Sequence, residues 1–144
     1  MALIRRGIHF GSYGSVDDGA AVFSRLAEAA RSPLPVLVEA AGVGRYRREA
    51  EATVYFCVLE ALQNAAKYAR ARQATVVLGC ANGQLEFSVT DDGAGFDPAA
   101  VTGTADRAGT GLQGMADRLA AAGGTLGIRS APSAGTLISG RIPV

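Results

Sequence analysis

The chain contains no tryptophan, two cysteines, one histidine and a single lysine among its 144 residues. Each scarcity removes a class of function. Cys57 and Cys80 lie inside apolar periodic segments without metal-ligand spacing, so a disulfide framework or zinc site is excluded and reduced, buried thiols are expected. No apolar run reaches membrane-spanning length and no stretch reads as a signal peptide, so a cytoplasmic domain without direct membrane contact is expected. A formal net charge of +1 gives no general attraction to nucleic acid or acidic membranes. The lone lysine, Lys67, lies inside a helical pattern and not after a glycine, which excludes a P-loop.

What is present describes one α/β domain. Apolar residues make up 49% of the chain and charged residues 19%, a balance that buries a core and does not leave the chain disordered. Residues 1–14, with Gly7, Gly11 and Gly14, read as a connector, and Leu3-Ile4-Arg5-Arg6 as the tail of a preceding helix. The domain proper covers residues 15–144. A capping box at Ser15 and Asp18 opens a helix carrying Val22, Phe23, Leu26, Ala29 and Ala30, which Pro33 and Pro35 end. Val36-Leu37-Val38 is a short strand, and Gly42 to Arg48 a turn with a solvated basic patch.

A long helix is expected from about Glu49 to Ala71, with Tyr55, Val58, Leu59, Leu62 and Ala66 as its apolar face. Glu60, Asn64 and Lys67 follow at spacings of four and three, one stripe on the opposite side. Ala74–Cys80 and Gln84–Asp91 alternate as strands around the tight-turn sequence Ala81-Asn82-Gly83. Residues 98–108 read as a mobile loop. Gly109-Thr110-Gly111 leads into a helix with Leu112, Met115, Ala116 and Leu119, and Thr125–Ser130 and Thr136–Ile142 are the last strands. The pattern is helices on one side of a mixed or antiparallel sheet.

The stretch with the most chemistry is Val89-Thr-Asp91-Asp-Gly93-Ala-Gly95-Phe96, a strand that ends in two carboxylates and two glycines. Alone, it also reads as an ordinary Asp-Gly turn. Gly109-Thr-Gly111-Leu-Gln-Gly114 satisfies GxGxxG, but a polar loop precedes it and no acid follows Asp117, so a dinucleotide fold is excluded. A calcium loop from Asp91 fails at Gly93 and Thr102. What remains coherent is a magnesium–nucleotide site. Glycines at a helix start offer free N–H groups to phosphate. The Glu60/Asn64/Lys67 stripe offers an acid, a neutral oxygen for a hard cation and a point charge, and Asp91 can accept from a base amine.

Glu60-Ala-Leu-Gln-Asn64-Ala-Ala-Lys67-Tyr68 resembles the N box of the sensor histidine kinases. Asp91-Asp-Gly93-Ala-Gly95-Phe96 resembles their first glycine box, Gly109 to Met115 the second, and Gly135-Thr136 the short motif before the final strand. The order and approximate spacing match over residues 50–144. The short flap, the Gly-Met helix, Gly123-Gly124 and Ser32-Pro-Leu-Pro35 are similar to the nitrate-sensor (NarL-type) subgroup.

The resemblance implies the Bergerat fold: an α/β (α+β), two-layer sandwich of a mixed, mostly antiparallel sheet covered on one face by helices. ATP and Mg²⁺ are the implied cofactors. On the matching positions, Asn64 binds Mg²⁺, Glu60 orients a water or acts as a base, Lys67 contacts phosphate and Tyr68 lies against the nucleotide. Asp91 accepts from the adenine amine, with Gly93 and Gly95 allowing close approach. Gly109, Thr110, Gly111 and Leu112 cradle phosphates, Gly114 belongs to the same box, and Thr136 backs the adenine pocket. The implied partners are a histidine-bearing dimerisation segment and, indirectly, a response regulator. The charged signature of that segment is missing here, and His9 matches the connector after it, so His9 is not expected to be the phosphoacceptor. Two alternatives share the boxes: an anti-sigma-factor-type serine kinase, and a nucleotide-binding module without turnover.

Overall fold

The computed structural model describes residues 2–4, 34–41, 46–67, 69–96 and 107–144. The expected first helix, the basic turn around Gly42–Arg45, His9, Tyr68 and residues 97–106 of the loop lie outside the described residues.

Strands β1 (Ala2–Ile4), β2 (Val36–Ala41), β3 (Ala74–Ala81), β4 (Gln84–Asp91), β5 (Thr125–Ser130) and β6 (Thr136–Pro143) form one sheet in the order β1-β2-β3-β4-β6-β5. β1 and β3 flank β2 in parallel, while β3–β4, β4–β6 and β6–β5 are antiparallel. The sheet is mixed and mostly antiparallel, as expected. The antiparallel part comes from local turns. Asn82 (φ 54°) and Gly83 (φ 74°) are both left-handed, the requirement of the hairpin turn whose twist matches its strands.

Period-two alternation decides which face is covered. Ala74, Val76 and Leu78 of β3, Leu85, Phe87 and Val89 of β4, and Ile138 and Ile142 of β6 are buried on one side. Against them pack α1 (Arg48–Lys67) and α2 (Arg107–Ala121). The buried stripe of α1 is Ala50, Val54, Cys57, Val58, Ala61, Leu62 and Ala65. Tyr55, Leu59 and Ala66 of the expected apolar face are only partly buried, because sheet and α2 meet the helix along a seam of smaller residues. Leu112, Met115 and Leu119 are the buried side of α2. The Arg118 guanidinium sits 3.9 Å above the Phe56 ring and ties α2 to α1.

Three boundaries differ from the sequence reading. Ala2–Ile4 is an edge strand in register with Val36–Val38, not the tail of a helix. Three apolar residues are too few to carry a helical period, and the edge of β2 supplies backbone partners. Helix α1 stops at Lys67 and not at Ala71. Arg70 turns left-handed (φ 51°) while the Ala69 and Ala71 N–H groups donate back to the Asn64 and Ala65 carbonyls. Helix α2 starts at Arg107, ahead of Gly109-Thr110-Gly111, which its first turns include.

Candidate functional site

The C-terminal half of α1 is where the motifs meet. Glu60 and Asn64, one turn apart, project from one side of the helix, and both are half-buried although an isolated helix would leave them in water. The cover is α2. A Cβ built on Gly111 would lie 2.7 Å from Glu60 Oε2 and 3.6 Å from Asn64 Nδ2, so the backbone of α2 passes directly over the two side chains. Lys67 is the last residue of α1, one turn beyond Asn64.

The glycine loop after β4 is seated on the end of the same helix. The Ala94 N–H donates to the Ala69 carbonyl at 2.9 Å, and the backbone at Gly93 passes so close to Ala69 that a Cβ would fall 2.6 Å from its carbonyl oxygen. Gly95 is left-handed (φ 69°), and a side chain there would run into the Ala131 carbonyl. The loop's conformation therefore requires both glycines.

Asp91 ends β4 opposite Thr136 at the start of β6. Its Oδ1 accepts the Gly93 N–H at 2.8 Å, which fixes the carboxylate at the mouth of the loop. Burial pushes the Asp91 carboxyl above the ordinary range, the Gly93 N–H draws it back, the Asp92 charge raises it and the Thr136 N–H lowers it. Asp92 serves a different purpose. It is exposed and its Oδ1 accepts the Arg72 and Gln73 N–H groups at 2.8 and 3.1 Å, which hold its carboxyl below the usual range.

Behind Asp91, Thr136 is buried, and its Oγ1 lies 2.8 Å from Ser130 Oγ. Ser130 Oγ also accepts the Phe96 N–H at 2.9 Å and donates to the Gly135 carbonyl at 3.0 Å. Ser130 thereby connects β5, the β5–β6 turn and the glycine loop. Neither Ser130 nor Ala69 stood out in the sequence. Each works through contacts between segments distant in the chain, and a lone Ser at a strand end carries no motif.

The second glycine box sits at the N-terminus of α2. A helix leaves its first four N–H groups unpaired, which for a start at Arg107 includes that of Gly109. Thr110, Gly111 and Leu112 fall where N–H groups pair within the helix, and Gly114 has open space around it. Among the described residues no group of three or more His, Cys, Asp or Glu side chains could cage a metal. The Asn64 amide oxygen is nevertheless of the hard type that suits Mg²⁺, with the Glu60 carboxylate one turn away. Cys57 is fully buried and its thiol is pushed up to about 12 by that burial, so it has no part in the chemistry.

A groove of about 390 Å³ lies on the other face of the sheet, which no element among the described residues covers, lined by Val77, Gly79, Glu86, Ser88, Ser139 and Arg141 among others. None of the motif residues lines it, because they project from the helix layer and the strand ends. No helix among the described residues is long and apolar enough to cross a membrane.

The sequence pattern of the histidine kinase-, DNA gyrase B-, and HSP90-like ATPases matches residues 49–144. The chain is 34% identical over 116 residues to the sensor histidine kinase MctS of Rhizobium johnstonii, covering 80% of this chain and 25% of that protein. It is 34% identical over 87 residues to the sensor histidine kinase LiaS of Bacillus subtilis, covering 60% of this chain and 23% of that protein. It thus spans about a quarter of the length of these relatives. Among solved structures it resembles the mycobacterial sensor histidine kinase MprB, with a TM-score of 0.65, 25% identity, and coverage of 88% of this chain and 94% of that one.

Proposed function

The chain belongs to the family of histidine kinase-, DNA gyrase B-, and HSP90-like ATPases, and from that premise we propose that it binds Mg–ATP and donates the γ-phosphoryl group to a histidine on a separate helical dimerisation segment. ATP binding follows from the family; the metal, the acceptor and the residue roles are our reading. The observation that carries it is the convergence on α1: Gly111 of α2 over Glu60 and Asn64, and the Gly93–Gly95 loop on Ala69. That convergence supports reading Asp91 as a base-binding carboxylate and the start of α2 as a phosphate seat.

In this reading the adenine amine donates to the Asp91 carboxylate, with Thr136 behind it and Gly93 and Gly95 leaving room for the base. Tyr68 lies against the nucleotide. The free N–H groups at the start of α2, that of Gly109 among them, receive the phosphates, and Lys67 adds a charge. Asn64 would hold Mg²⁺ through its amide oxygen, and the ion would supply charge to neutralise the phosphates. Glu60 orients a water or takes the proton of the attacking group. Transfer then forms the bond from the acceptor nitrogen to the γ-phosphorus and breaks that to the β–γ bridging oxygen, ADP leaving with the electron pair.

The nitrate-sensor subgroup, a response regulator as the indirect partner and a cytoplasmic setting belong to the same proposal. Residues 1–14 act in it as the connector to the dimerisation segment, with Ala2–Ile4 laid along the sheet edge of an ATP-binding domain over 15–144. The test is incubation with γ-labelled ATP, followed by analysis of acid lability. The chain alone should bind nucleotide and remain unlabelled, and addition of an acceptor segment should give acid-labile label on that segment. Acid-labile label on the chain that disappears in His9→Ala would overturn it.

A further inference from the structure

Of the three glycines in α2, Gly111 and Gly114 lie beyond its first turn, and their surroundings are opposite. A Cβ on Gly114 would meet nothing within 4 Å, whereas one on Gly111 would lie 2.7 Å from Glu60 Oε2. Glycine is the poorest helix former after proline, so a glycine inside a helix has a cost that some contact should justify. At Gly111 the contact is with a carboxylate. The backbone of the helix could carry a methyl there, and the obstacle is the far end of the Glu60 side chain.

We propose that Gly111 is a positioning residue for Glu60: its missing side chain is the space in which the Glu60 carboxylate is held beside Asn64. This rests on the functional reading above, in which Glu60 serves the transferred phosphoryl group, and differs from a role as a phosphate seat alone. A Cβ at 2.7 Å is well inside ordinary contact distance, so Gly111→Ala forces the carboxylate to swing away. The side chain is flexible and the helix gains a better former, so the fold survives. The chemistry does not, since a misplacement of about 1 Å at a reacting group costs on the order of 100-fold in rate.

The experiment uses the full 144-residue chain in four forms: unmodified, Gly111→Ala, Glu60→Gln, and the double variant. Thermal unfolding, Mg–ATP affinity, and phosphate released from bound Mg–ATP with protein in excess are measured for each. Gly114→Ala serves as the reference for the gain in helix stability. Gly111→Ala is expected to melt no lower than the unmodified chain, to hold Mg–ATP within about 3-fold, and to release phosphate roughly 10- to 100-fold more slowly. In the Glu60→Gln background the same methyl should slow release no further, because there is no carboxylate left to displace.

An equal slowing in both backgrounds, a lowered melting temperature, or lost affinity with normal release from bound nucleotide each overturns the positioning role. An unmodified chain that binds no Mg–ATP overturns the functional reading itself. Label passed from γ-labelled ATP to an added acceptor segment is read beside phosphate release, and a chain that binds Mg–ATP and does neither removes Glu60 from the chemistry, and this proposal with it.

Discussion

Asp91→Asn separates the binding role of the glycine loop from its folding role. Asp91 Oδ1 accepts the Gly93 N–H, and an asparagine oxygen can accept the same bond, so the loop should keep its shape. The other carboxylate oxygen is the one left to meet an adenine amine. In asparagine that place is taken by an NH₂ group, so a donor faces a donor and the charge is gone. A hydrogen bond to a charged group contributes about 1.5–3 kcal/mol, so affinity for Mg–ATP should fall by roughly 10- to 150-fold. Stability should move the other way. Burial raises the Asp91 carboxyl, so the neutral form is favoured in the native state. Its contribution to stability is complete below the unfolded value of 3.8 and is lost as pH rises through the higher folded value. Asparagine cannot ionise, so the melting temperature of Asp91→Asn should gain on that of the unmodified chain as pH rises from below 3.8 to neutrality. Calorimetric titration with a non-hydrolysable ATP analogue and melts across pH read both effects. A purine triphosphate lacking the 6-amino group should bind the two proteins equally. Undiminished affinity of Asp91→Asn for the ATP analogue would refute the assignment of Asp91 to the base.

Asn64→Ala should remove most of the magnesium dependence of nucleotide affinity and leave metal-free binding nearly unchanged, read by titration with and without Mg²⁺; equal weakening in both makes Asn64 structural. Gly95→Ala places a Cβ on a left-handed residue (φ 69°) against the Ala131 carbonyl, and should cost about 1–3 kcal/mol in denaturant unfolding. Ser130→Ala leaves the Phe96 N–H and Thr136 hydroxyl without their shared partner, so it should cost about 1–3 kcal/mol and speed amide exchange at Phe96.

The elements legible in the sequence were those specified by short-range chemistry. Strands β3 and β4 followed from two-residue alternation, their hairpin from Asn82-Gly83, and the start of α1 from helical periodicity. Glu60, Asn64, Asp91 and the glycines were equally legible as patterns, because their types and spacings resemble the boxes of the sensor histidine kinases. Only the tertiary structure decided where α1 ends, since Arg70 turns left-handed to bring Ala69 under the glycine loop, and nothing local to Arg70 demands it. The same holds for Ser130, whose three partners come from distant segments, and for Asp92, which resembles Asp91 in sequence but caps the turn at Arg72 and Gln73. Most of all it holds for Gly111. The sequence marks it as one glycine of a box, alike in kind to Gly114, and only the packing of α2 across α1 places a carboxylate where its side chain would be. Local patterns report what each segment can form by itself; which atoms share a space depends on how two helices cross, and that is settled by the whole core.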